Sequence, residues 1–113
     1  MNLDPAELEE LKSLHPAAEV VQEAGVDLVR LPGLRLPSGC APSVVDALLH
    51  PTSRDGYPSR LFVSQQVTPC RARNWAGAVL LGTNWQVYSW KRDNAAPLSL
   101  IQKLAFHLDA FRP

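Results

Sequence analysis

Residues 70–94 read CRARNWAGAVLLGTNWQVYSWKRDN, and the fold follows from how this stretch is taken. Trp75, Trp85 and Trp90 are spread through sequence that also holds glycines and asparagines. The pattern is irregular, so the expectation is a segment that packs through its aromatic rings rather than through a helical or strand period.

The flanking stretches carry clearer signals. Upstream, Arg60 to Val67 (RLFVSQQV) reads as a strand ended by Thr68-Pro69, and Val44 to His50 (VVDALLH) as another. Loops are expected over Pro51 to Gly56 and over Pro32 to Pro42, where prolines remove ladder donors and glycines admit unusual dihedrals. Glu19 to Leu31 (EVVQEAGVDLVRL) places the strand formers Val20, Val26, Leu28 and Val29 around an Ala24-Gly25 break, which predicts an antiparallel hairpin.

At the start, Asp4-Pro5-Ala6-Glu7 combines an N-cap acid, a proline at the first helical position and a glutamate three residues after the cap. A helix with Leu8, Leu11 and Leu14 on one stripe follows, ended by His15-Pro16. At the end, PLSLIQKLAFHLDAF sets Leu98, Ile101, Leu104, Leu108 and Phe111 at steps of three and four, the spacing of an amphipathic helix. The expected architecture is a single α+β domain over residues 1–113: a helix, a four-stranded antiparallel meander, the irregular segment, and a closing helix packed on the sheet.

Composition narrows the function classes. Of 113 residues, 46% are apolar and 19% charged, ordinary globular usage. Lysine plus arginine equals aspartate plus glutamate at 11 each, so the electrostatic footprint of a nucleic-acid binder is missing. The first residues, MNLDPAELEELKSL, lack the basic and apolar regions of a secretory signal, and no run is long enough for a membrane span. A cytoplasmic location is expected. Cys40 and Cys70 show no CxxC spacing, which argues against zinc and against a disulfide in a reducing compartment.

Chemistry centres on Cys70. Arg71 and Arg73 flank it, and cations beside a thiol favour its thiolate, the nucleophilic form. The plainer alternative is a small residue in a turn. Asn74 or Asn84 are candidate donors to a developing oxyanion, and Trp75 a candidate partner contact, against ordinary turn and core roles. Cys40 reads as structural. His15, His50 and His107 have no carboxylate pattern linking them, so neither a metal nor a cofactor is expected, and no Ser-His-Asp arrangement appears.

The order of elements, the Gly56-Tyr57-Pro58 turn before the fourth strand, Trp85 after a long loop, and the closing helix together resemble the ubiquitin-conjugating (UBC) fold. VRLPGLRLPSGCAPSVVDALL (29–49) followed by GYPSRLF (56–62) looks like divergent bacterial UBC-like proteins. The resemblance implies a transferase that carries a ubiquitin-like protein as a cysteine thioester, received from an activating enzyme and passed to an amine. Bacterial relatives work beside such an activating enzyme and a JAB-type peptidase. The chain departs from the family pattern: TPCRARNW keeps a proline at Pro69 without the neighbouring histidine and asparagine, and no cysteine falls between Asn74 and Trp85. Two expectations follow. Either Cys70 carries the thioester, with Asn74 assisting and Arg71, Arg73 and Trp75 binding the substrate, or the protein is a non-catalytic UBC-like or RWD-like module that binds a partner.

Overall fold

A computed structural model describes residues 4–52, 57, 59–68, 73–90 and 98–111. The first helix, α1 (Pro5–Leu14), begins where expected: the Asp4 carboxylate accepts the Ala6 N–H at 2.8 Å. It ends as His15 donates its N–H to the Leu11 carbonyl, one residue before Pro16. β1 (Glu19–Glu23) and β2 (Val26–Arg35) form the expected hairpin, with Ala24 and Gly25 at φ of 52° and 80°. Positive φ at both turn residues matches the right-handed twist of the flanking strands. β3 (Val44–His50) and β4 (Arg60–Val63) follow, β4 shorter than its sequence suggests.

Residues 73–89 correct the expected irregular segment. They form a second hairpin, β5 (Arg73–Leu80) and β6 (Thr83–Ser89), and the sheet has six strands in the order β1-β2-β3-β4-β6-β5. All neighbours are antiparallel. The UBC-like architecture is thereby overturned: that fold has a four-stranded sheet and more helices, whereas this chain pairs six strands beside two α-helices, α1 and α2 (Leu100–Leu108). The physical reason lies in the turn. Leu81 and Gly82 sit at φ of 54° and 71°, the same geometry as Ala24-Gly25. Leucine seldom takes that conformation, so the Asn-Gly or Asp-Gly signal of such a hairpin is missing.

The sheet is apolar on both faces. Val29, Leu31, Val45, Ala47, Leu49, Leu61, Val63 and Tyr88 point to one, and there Leu11 of α1, Leu100 and Leu104 of α2, and Phe111 complete the core. Four bonds fix α2. Ser99 and Gln102 make a reciprocal capping box, and Glu7 of α1 accepts the Leu100 N–H at 3.0 Å, so exposed donors of the first turn are satisfied. At the other end, Trp90 Nε1–H donates to the Phe106 carbonyl at 2.8 Å and the Tyr88 hydroxyl to that of His107 at 3.1 Å.

The opposite face carries Leu28, Leu48, Phe62, Leu80, Trp85 and Val87, all buried, with Val21, Val26 and Ala78 against them. No helix among the described residues covers it. The sheet covers itself: the tips of the two hairpins lie at diagonally opposite corners, on the order of 30 Å apart in a flat sheet of this size. Here the Leu81 N–H donates to Glu23 Oε2 at 2.6 Å. The twist of the sheet is thus exaggerated into a coil that folds those corners over Phe62. None of the described helices is long and apolar enough to cross a membrane.

Phe62 is the largest fully buried side chain on the coiled face, at 1% exposure. Phe62→Ala is expected to cost about 3–5 kcal/mol in urea unfolding, while Val79→Ala, at an exposed site, changes stability by less than about 0.5 kcal/mol. Similar losses for both would contradict a coiled second core.

Candidate functional site

The sequence placed its chemistry after β4, and the described chain borders that region on both sides. Thr68 is tied to Ala41 by a pair of backbone bonds, at 2.7 and 3.0 Å. Cys70 and Arg71 lie outside the described residues. Arg73 opens β5 opposite Ser89. Asn74 follows at φ 59° within a bulge between Arg73 and Ala76, and its side chain is exposed. Asparagine tolerates this left-handed conformation better than most residues, which gives Asn74 a backbone role in re-aiming the strand. Trp75 turns inward and packs on Tyr88 with ring centroids 5.1 Å apart. Asn74 and Trp75, neighbours in sequence, therefore serve solvent and core respectively. Cys40 is buried, its Sγ 3.5 Å from the Phe111 carbonyl.

A buried polar cluster escaped the sequence reading. The Ser59 hydroxyl donates to the His50 carbonyl at 2.7 Å and lies 2.9 Å from His107 Nε2. Its one proton is used in the first bond, so in the second the imidazole donates and the serine accepts. A serine nucleophile requires the reverse, a histidine that accepts the hydroxyl proton. With Ser59 and His107 each 1% exposed, the pair is a structural tie between α2 and the residue preceding β4. Nearby, Lys103 donates from Nζ to the Pro51 carbonyl at 2.6 Å, and the Arg60 guanidinium stacks 4.1 Å from the centre of the Tyr57 ring. Burial lowers the Lys103 pKa, partly offset by the Glu7 carboxylate. Among the described residues no group of histidines, cysteines and carboxylates has the arrangement of a metal site.

A groove of about 430 Å³ runs between the end of α1 and the second half of β2, lined by Leu14, His15, Pro16, Leu31, Pro32 and Arg35 among others. Its lining mixes apolar residues with His15 and Arg35.

The outer edge of β5 is different in kind. β6 covers one side of this eight-residue strand, and no described strand pairs with the other. The two-residue turn makes Leu80 and Thr83 a hydrogen-bonded pair, and with period two Ala78 and Ala76 also bond to β6. Gly77 and Val79 therefore direct their N–H and C=O groups away from the sheet. From Asn74 to Leu80 the strand has no charged residue and no proline. Natural sheets usually blunt such an edge with lysine, proline or a short strand. The other edge, β1, is five residues long with Glu19 and Glu23 at its ends. Alternation of Ala76, Ala78 and Leu80 was the available sequence signal, weakened by the small size of the alanines and by Gly77.

Comparison with protein families, with curated proteins and with solved structures finds no match to this chain.

The cluster around His107 has a pH signature. Burial, reinforced by the charges of Arg60 and Lys103, pushes the imidazole down to about 3. In the unfolded chain it titrates near about 6.5, so between these values the unfolded state holds the extra proton. The contribution to stability is complete above about pH 6.5 and is lost as pH falls toward the folded value. The urea midpoint of the wild type is expected to drop between about pH 7 and about pH 5, before most carboxylates titrate. His107→Gln, which keeps a donor toward Ser59, should drop less. Equal slopes in the two proteins would refute a neutral buried His107.

Proposed function

We propose that the protein is a non-catalytic protein-binding module that takes up an extended segment of a partner polypeptide along the edge of β5. The reading is carried by one observation: an eight-residue edge strand, uncharged from Asn74 to Leu80, whose outer groups meet no described strand. Strand addition uses the backbone groups of Gly77 and Val79 for affinity and the flanking side chains for selection. Val79 at 67% exposure is among the most exposed large apolar residues described, as befits a contact position.

The conjugating reading drew its arrangement of thiol, asparagine and sheet from a UBC-like order of elements, and the six-stranded sheet replaces that order. A ubiquitin-like protein and an activating enzyme were implied through the same likeness. Edge pairing needs neither of them. It also needs no activated thiol at Cys70.

A photo-crosslinking amino acid at position 79, in cells that make the full chain, is expected to give a covalent polypeptide adduct, whereas the same group at exposed Glu9 on α1 gives none. Gly77→Pro should remove the adduct without unfolding the protein, because the lost N–H faces away from β6. No adduct at position 79, or equal adducts at both positions, would overturn the reading.

A further inference from the structure

Resting on that reading, the geometry points to a second copy of this chain as the occupant of the β5 edge, joined by antiparallel β5-to-β5 pairing about a two-fold axis through Ala78. Three observations meet here.

The first is register. Gly77 and Val79 are the residues whose backbone groups face outward, and an antiparallel pairing centred on Ala78 sets Gly77 of one copy opposite Val79 of the other. Both such pairs can exchange N–H and C=O bonds, so every outward group over Gly77 to Val79 is satisfied by its own symmetry mate. Pairing centred on Gly77 or on Val79 keeps the same phase but sets Val79 opposite Trp75, inside the bulge, or Gly77 opposite Leu81, a turn residue whose N–H is already given to Glu23.

The second is side-chain fit. A Cβ built on Gly77 would meet no atom within 4 Å, so the space above it is open. Val79 is branched, 67% exposed, and stands on the same sheet face two residues along. In the centred register each Val79 lies over the Gly77 of the other copy, filling that space from outside. Ala78 meets Ala78 at the axis, where strands approach most closely and small side chains are required.

The third is charge and closure. The segment from Asn74 to Leu80 carries no charge and the chain has formal net charge of zero, so two copies meet without like-charge repulsion at the seam. Pairing two β5 edges uses both of them. What remains at each end of the joined sheet is β1, short and bearing Glu19 and Glu23, so further strand addition is opposed and assembly stops at two chains. The exposed Leu81 in the turn, its N–H already given to Glu23, marks the end of the seam.

Sedimentation of the purified full chain from low micromolar to submillimolar concentration tests this. The wild type is expected at twice the monomer mass, Val79→Lys and Gly77→Pro at the monomer mass with unchanged circular dichroism, and the surface control Glu9→Lys still at the dimer mass. In a Cys70→Ser background, Ala78→Cys should form an intermolecular disulfide under mild oxidation, identified by mass spectrometry as position 78 linked to itself. Ala76→Cys, which would face Leu80, should form none. A dimer that neither edge substitution dissociates, or that forms no disulfide at position 78, overturns this interface. A wild-type monomer at all concentrations overturns self-pairing; if position 79 still crosslinks to a different polypeptide, the edge-binding reading survives, and if it does not, both fall.

Discussion

At the middle of the sheet, Leu48, Leu49, Leu61, Phe62 and Val63 are all buried on adjacent strands. Side chains alternate across a strand, so this requires cover on both faces, and the described chain offers two helices, both on one. The second face must close on itself. Coiling the sheet until Val21 and Val26 of one hairpin meet Leu80 and Trp85 of the other does this. The Glu23 carboxylate, accepting the Leu81 N–H, ties the two tips once they meet. Turn geometry, strand order and the position of β5 all follow from that closure. A hairpin swung over Phe62 presents its inner strand, β6, to β4 and leaves β5 outermost.

The helical face is settled differently, by polar groups with few alternatives. α2 is held at its start by a carboxylate of α1 and at its end by the indole of Trp90 and the hydroxyl of Tyr88. Both of these donors come from the end of β6, so the seating of the helix depends on the second hairpin. His107 adds a tie to Ser59, and that tie holds only while the imidazole is neutral. Burial enforces neutrality, and the charges of Arg60 and Lys103 reinforce it, because protonation would add a further positive charge to a desolvated cluster. That desolvation makes the cluster a pH-sensitive joint of the fold.

Much of this was legible in the residues, and the failures have a common cause. Asp4-Pro5 and the leucine stripe announced α1; the apolar spacing from Leu98 to Phe111 announced α2, although the cap is Ser99 rather than Pro97. Ala24-Gly25 was readable as a turn because strand formers flank it. Leu81-Gly82 makes the same turn between Ala78-Val79-Leu80 and Thr83-Asn84-Trp85, where alanine, glycine and asparagine dilute the strand signal. Without that hairpin a six-stranded coiled sheet reads as a four-stranded meander, the element order on which the UBC-like likeness rested together with Gly56-Tyr57-Pro58, Trp85 and the closing helix. The Ser59 and His107 tie spans nearly fifty positions and has no local signature, so no pattern could have joined them.

The functional proposal depends on an asymmetry between two edges of one sheet. β1 is short and acidic at both ends, the usual way to discourage an added strand. β5 is longer, uncharged from Asn74 to Leu80, and composed of small or apolar residues at the outward positions Gly77 and Val79. Nothing in the packing of the interior demands that difference: Gly77 and Val79 contribute little to either core, and a lysine at either position would fit the solvent side. Exposed edge groups lose no hydrogen bonds to water, so an unprotected edge carries no folding penalty, only a hazard of association. A strand that keeps the hazard while its counterpart removes it is best explained by use, and the coil of the sheet is what brings that strand to the outside.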